Sequence, residues 1–259
     1  LLLQVVTPLD SVYEGLSAML ETFRLENPAC AVQLVSTDNA REVLGETGEE
    51  QVRYRHGRRF VRRWEELPPK AAGWPPGASI LITGGTGALG RLIAADLARS
   101  VPGVRLVLTG QAERHDHRLD CGDGEAVRRF VRAQGPFHAV IHCAGIHRDS
   151  SIARKNDAEL RAVLRPKVNG AAALLEVCEE LGVERLVLFS SLGGVFGNAG
   201  QVDYAAANGY MDALASSHTG RTQVVSIGWP FWREGGMSVD ARGEQAFFER
   251  MGQRPLETE

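Results

Sequence analysis

Apolar residues fall along this chain in two rhythms, and the change between them marks its organisation. In the later part short runs of branched aliphatics recur: SILIT (79–83), RLVLT (105–109), HAVIHC (138–143), RLVLFS (185–190) and VVSIGW (224–229). Such runs are apolar on both faces, as parallel strands covered by helices are, and segments of helical length lie between most of them. The pattern predicts an α/β fold with a doubly wound parallel sheet of the Rossmann type. The earlier part mixes its periods. It predicts an apolar strand from Leu2 to Val6, an amphipathic helix from Leu9 to Glu26, and a strand from Val32 to Ser36. A basic hairpin follows from Gln51 to Trp64, turning at His56-Gly57.

Between the two parts lies LPPKAAGWPPG (67–77), whose prolines and glycines interrupt both periods. The expected division is a smaller unit over residues 1–75 and a larger one over 76–259, with no repeat of solenoid period. One connection is too short for its place. From Gly110 to the next expected strand, His117 to Cys121, there are about six residues, where a parallel crossover needs a dozen or more. Six extended residues span at most ~20 Å, enough to return along a short strand without building a helix. Either the crossover helix is missing or a stretch of chain has been omitted.

Composition narrows the setting. With 259 residues, 44% hydrophobic and a formal net charge of -3, the chain can bury a sizeable core and build more than one unit. Cys30, Cys121, Cys143 and Cys178 lack metal-ligand spacing, and two lie inside apolar runs, which predicts buried free thiols in a reducing compartment. No apolar run approaches the ~20 residues of a membrane span, and Leu1-Leu2-Leu3 soon meets a proline, so no membrane partner is expected and the location is read as cytoplasmic. The chain opens without methionine and ends on LETE, and is read as a domain cut from a longer polypeptide, monomeric when excised. Arg53, Arg55, Arg58, Arg59, Arg62 and Arg63 alternate in the hairpin as a solvated face. In a slightly acidic chain they suit an acidic protein partner better than nucleic acid. His115, Asp116 and His117 have no further ligands nearby, so no metal is expected.

Two constellations carry chemistry. Thr83-Gly84-Gly85-Thr86-Gly87-Ala88-Leu89-Gly90 follows the first strand of the larger unit and opens a helix. Gly85, Gly87 and Gly90 satisfy G-x-G-x-x-G in the context that gives it meaning. It makes a tight turn, lets the backbone approach a pyrophosphate closely, and aims helix N-terminal N–H groups at the anion. No acid follows the second strand directly, and Arg114 is near enough to hold a 2′-phosphate, which favours NADPH. The other constellation is Lys167, Ser191 and Tyr204, with Asn208 four places after the tyrosine. Together these can donate a proton to a carbonyl under reduction. Each alone has an ordinary reading as a solvated lysine, a strand-end cap or a packing residue; the four at this spacing do not.

These segments, with HCAG (142–145), RPKVNGA (165–171), FSSLGGVFGNAGQVDYAAAN (189–208) and GWPFWREGGM (228–237), resemble a ketoreductase domain of a modular polyketide synthase, a relative of the short-chain dehydrogenase/reductases. The resemblance covers essentially the whole chain. ENPACAVQLVS and VRYRHGRRFVRR resemble the truncated, non-catalytic Rossmann-like subdomain that precedes the catalytic one in such domains, and GWPFWREGGM is similar to ketoreductases of assembly lines whose acyltransferase acts in trans.

The resemblance implies NADPH-dependent reduction of a β-ketoacyl thioester carried by an acyl carrier protein, among neighbouring domains of a synthase. Tyr204 becomes the general acid, whose pKa of ~10 must fall near neutrality, with Lys167 as the cation that lowers it. Ser191 becomes a donor to the developing alkoxide, and Asn208 a holder of Lys167 or of a relay water. Asp120, Cys121, Ala144 and Gly145 join the glycine loop, Lys167 and Tyr204 on the cofactor, Asp120 against the adenine amine. Asp149 ends the motif after Ala144-Gly145 that accompanies an R (D) hydroxyl, although His-Arg stands before it where Leu-Asp is usual. Phe196 takes the site where tryptophan accompanies the S outcome, and Ala206 replaces the proline of epimerising types. A B-type, non-epimerising enzyme is implied. Leu192, Gln201, Trp229 and Met237 complete the expected substrate side, and residues 229–250 are expected to form a lid hinged at Gly235-Gly236. A freestanding reductase of small ketones or coenzyme A esters, and a catalytically silent scaffold domain, stand as the alternatives.

Overall fold

The computed structural model describes all residues except 44–47, 69–72, 112–116, 236–243, 246–247, 250–251, 253 and 259. By contact the chain falls into two units that alternate along the sequence. One comprises Leu1–Trp74, Ile146–Leu164 and Gly193–Thr219, the other Pro75–Gly145, Arg165–Leu192 and Gly220–Glu259.

The first unit is built on a four-stranded sheet in the order β1 (Leu2–Thr7), β2 (Ala31–Ser36), β3 (Gln51–Arg55), β4 (Arg58–Val61). The first three strands are parallel, and β4 returns antiparallel to β3 through His56 and Gly57, both at positive φ, the two-residue turn that suits the twist of a hairpin. The expected helix from Leu9 is shorter than its apolar period. Asp10 is left-handed, Val12–Gly15 forms a 3₁₀ turn, and α1 runs only over Leu16–Glu26. Gly15, the N-cap of α1, meets α6 at backbone distance: a Cβ on it would lie 2.3 Å from the Gly209 carbonyl oxygen. Leu20, Val32 and Leu34 form a core cluster, with Val5, Leu16 and Phe23 packed against it. Two later helices belong to this unit, the short α5 (Gly193–Phe196) and α6 (Val202–Ser217), and both lie along α1. The hairpin arginines are largely answered within the unit. Arg53 meets Asp10 and Glu14, Arg55 meets Asp10, Arg63 meets Glu49, and Arg62 lies over the Trp64 ring.

The second unit is a parallel sheet in the order β6 (Arg105–Leu108), β5 (Ser79–Thr83), β7 (Ala139–His142), β8 (Arg185–Ser191), β9 (Gln223–Trp229). Ile80, Leu81, Ile82, Ala139, Val140, Leu186 and Leu188 are all fully buried, which is why these strands read as unbroken apolar runs. α2 (Ala88–Ser100) follows β5, α3 (Gly124–Gln134) precedes β7, and α4 (Asp157–Leu181) is a 25-residue helix with Pro166 inside it, reaching toward β8. The strand order reverses between β5 and β7, the point at which ligands bind in sheets of this kind. The expected strand from His117 to Cys121 is not formed. A single parallel bridge, Gly110 to Arg118, stands in its place. The chain turns away at once, because Asp120 Oδ1 accepts the Gly122 N–H at 2.8 Å and Asp123 then caps α3. Among the described residues no helix is long and apolar enough to cross a membrane, and all four cysteines are free.

Candidate active site

At the reversal point the backbone leaves β5 through Thr83, which is fully buried, and turns at Gly84 with φ +68°. A Cβ on Gly84 would stand 2.7 Å from the Ala144 backbone, and one on Gly90 would stand 2.5 Å from Gly85 Cα. The glycines therefore let loop, helix start and the Ala144-Gly145 segment approach to backbone distance. Gly87 is the N-cap of α2 with an extended backbone and no side chain to occupy the helix end, so the amides of the first turn can face an anion. A side chain at any of these positions would fill the cradle. The residues fit a dinucleotide pyrophosphate on these grounds. Gly110 lies so close to Thr86 that no side chain fits between them. Thr109 is fully buried, and its Oγ1 has no hydrogen-bond partner among the described residues. Asp120 is exposed and within 3.4 Å of Gln111 Nε2, while burial pushes the Cys121 thiol up to about 12. Arg114 lies outside the described residues, as do His115 and Asp116.

The same unit holds Lys167 and Ser191. Lys167 is 4% exposed, its Nζ donates to the Phe189 carbonyl at 2.8 Å, and a Cβ on Gly145 would come within 2.6 Å of its Cε. An ammonium is thus held beside Gly145 and under the last turn of β8, which Ser191 ends. Leu192 N–H donates to the Trp229 carbonyl, continuing the β8–β9 ladder, and the Trp229 ring sits between Phe189 at 5.4 Å and Trp232 at 5.2 Å. Met237 and Gly236 lie outside the described residues, as does much of the expected lid.

Behind this end of the sheet is His142, fully buried at the end of β7. Its Nε2 lies 3.0 Å from the Pro166 carbonyl, which can only accept, so Nε2 carries the proton. Nδ1 then accepts from the Thr83 hydroxyl at 2.6 Å. Burial, reinforced by the Lys167 charge, pushes the imidazole down to about 3. The sequence reading left His142 out, though a histidine inside an apolar strand signals a neutral, hydrogen-bonded ring.

The first unit carries the tyrosine. Tyr204 lies in the first turn of α6, half-buried, and the fully buried Asn208 one turn later donates from Nδ2 to the Tyr204 carbonyl at 2.8 Å. Gln201, the N-cap of α6, donates from Nε2 to Asp149 Oδ2 at 2.9 Å, and Asp149 Oδ1 is 3.1 Å from His147 Nδ1. Phe196 is 42% exposed and packs on Trp64, ring centroids 5.8 Å apart. Lys155 and Asp203, which sequence reasoning passed over, form a buried ion pair next to the tyrosine. No local pattern could have signalled a contact across 48 residues.

A parallel sheet with a glycine cradle at its reversal point, and a buried lysine beside it, place the chain among the short-chain dehydrogenase/reductases. Residues 115–234 match the family model of the KR domain, and the chain belongs to the ketoreductase domains of polyketide synthases. It is 31% identical to polyketide synthase PksL of Bacillus subtilis (strain 168) over 99% of this chain and 7% of that protein. The ketoreductase domain from the bacillaene assembly line superposes with a TM-score of 0.88 at 28% identity, over 99% of this chain and 72% of that one. The first ketoreductase of the tylosin polyketide synthase gives 0.81 at 30% identity, over 99% and 64%. The chain thus spans only 7% and 5% of the length of two such synthases. Reduction of a β-keto group is the general activity of the family.

Proposed function

We propose that this chain is an NADPH-dependent reductase of β-ketoacyl thioesters presented by an acyl carrier protein, giving the R (D) hydroxyl without epimerising the neighbouring carbon. The observation that carries the reading is the buried Lys167, held between Gly145 and the strand that ends in Ser191, beside a glycine cradle with no side chain in it. When bound, the reduced nicotinamide supplies the hydride to the ketone carbon. In this reading Tyr204 gives its phenolic proton to the ketone oxygen and the Lys167 ammonium stabilises the tyrosinate left behind. Ser191 donates a hydrogen bond to the same oxygen as its charge grows, and Asn208 orders the turn that carries Tyr204. Asp149, with Phe196 in place of a tryptophan, supports the B-type outcome. Along the sequence, residues 1–75 are the structural part and 76–259 the catalytic part of a cytoplasmic synthase domain, although 146–164 and 193–219 of the catalytic part fold with the N-terminal sheet.

The test is incubation with a β-ketoacyl N-acetylcysteamine thioester and NADPH or NADH, following the loss of cofactor absorbance and resolving the alcohol on a chiral column. NADPH consumption with an R product is expected, and Tyr204→Phe should slow it by at least ~10²-fold. No oxidation of either cofactor would sink the enzyme reading, whereas an S alcohol would remove only the B-type assignment.

A further inference from the structure

Within the first unit, the loop after residue 146 is stitched to the start of α6. Ser150 N–H donates to the Gly200 carbonyl at 2.9 Å, and the Glu26 carboxylate accepts from Ile152 N–H at 2.8 Å and Gly200 N–H at 2.9 Å. Gln201 Nε2 reaches Asp149, as described. The remaining tie differs in kind. Lys155 Nζ and Asp203 Oδ2 are 2.8 Å apart, with side chains 2% and 0% exposed. The same ammonium donates to the Arg148 carbonyl, and Asp203 Oδ1 accepts the Tyr204 N–H at 2.9 Å.

Burying two opposite charges is a poor way to gain stability, because desolvation offsets most of their attraction and an apolar pair of like volume is often as good. The pair does something an apolar pair cannot. Through Lys155 it grips the backbone one residue before Asp149, and through Asp203 the backbone of Tyr204 itself. Gln201 is the N-cap of α6 and Tyr204 lies in its first turn, so the loop bonded to Gln201 is tied to the end of the helix that carries the tyrosine.

We propose that the Lys155–Asp203 pair is a positioning device, which fixes the loop bearing Asp149 against the turn bearing Tyr204 and so sets how a bound ketone is turned when it is protonated. The proposal rests on the ketoreductase reading. Neither residue touches the substrate; both act through the backbone they hold.

The decisive variant is Lys155→Met with Asp203→Asn, which removes both charges, nearly conserves volume and leaves an oxygen for the Tyr204 N–H. Wild type and variant are given the same β-ketoacyl N-acetylcysteamine thioester and NADPH, and both product ratio and kcat against KM are measured. The variant should fold, with a circular dichroism spectrum like wild type, and still reduce the thioester. Its minor hydroxyl epimer should rise about tenfold relative to the major one, the effect of losing ~1.4 kcal/mol between competing transition states. Lys155→Arg, which keeps the charge, should hold the wild-type ratio more closely than the neutral variant. A folded variant with the wild-type ratio overturns the proposal, even if its melting temperature drops. If the double variant does not fold, Asp203→Asn alone is held to the same ratio; if neither folds, the pair is a stabiliser only and the proposal fails. A wild type that reduces nothing would sink the ketoreductase reading instead.

Discussion

His142 ends β7 with a hydroxyl on one ring nitrogen and a carbonyl on the other, both supplied by protein. Its folded pKa, about 3, lies below the ordinary value of 6.5, so between those two pH values the unfolded chain binds a proton that the folded chain refuses. Stability from this residue is therefore full above pH 6.5 and falls as the solution is acidified toward pH 3, with a slope of at most ~1.4 kcal/mol per pH unit. Urea midpoints of wild type and His142→Gln, measured across that range, should converge with acid, because the variant loses this part of the slope while being less stable at neutral pH. Parallel curves would show that the ring is not buried neutral.

Among elements, α6 is the most constrained, since Gly209 on its buried side crosses Gly15 at backbone contact. A Cβ at 209 would sit 2.3 Å from the Gly15 carbonyl oxygen. Backbone cannot yield as a flexible side chain can, so Gly209→Ala should cost ~3 kcal/mol, the upper part of the range for overpacking. The measurement is the shift in denaturation midpoint, and a loss under ~1 kcal/mol would show that the crossing relaxes. Elements differ in how far they were legible in the sequence. Strands β5 to β9 were, because burial on both faces leaves an apolar run that needs no knowledge of the partner. The glycine loop was too, since its spacing is local. The start of α1 was not: the apolar period continues back to Leu9, but the helix begins only at Leu16, after the glycine that meets Gly209. The strand expected at His117 to Cys121 shrank to one bridge because Asp120 turns the chain through its own backbone hydrogen bond, which an apolar count does not weigh.

For the whole molecule, the two units do not follow each other in sequence. Ile146–Leu164 and Gly193–Thr219, which carry Asp149, Lys155, Tyr204 and Asn208, belong with the N-terminal sheet. Glu26, at the end of α1, accepts from both of these later segments. A chain beginning at Pro75 would strip α6 of its neighbours α1 and the Val12–Gly15 turn, and leave Gly209 without the backbone it packs on. Such a chain should be recovered aggregated or without a cooperative unfolding transition, by solubility and calorimetry. A soluble, cooperatively folding product would show that the later segments hold together unaided. This grouping depends on tertiary contact alone, which is why the proline-rich stretch at 67–77 gave no hint of it.

Cys121 and Cys178 are buried, and burial holds each thiol at about 12, three units above the ordinary 9.0. Only the thiolate attacks an alkylating reagent, so in the closed protein both are chemically silent, and each local opening restores them to ordinary reactivity. Both belong to the unit built on the parallel sheet, one just before α3 and one in the last turn of α4. The rate at which they are labelled is thus a clock for the breathing of the cofactor-side unit, readable by mass spectrometry without introducing a probe.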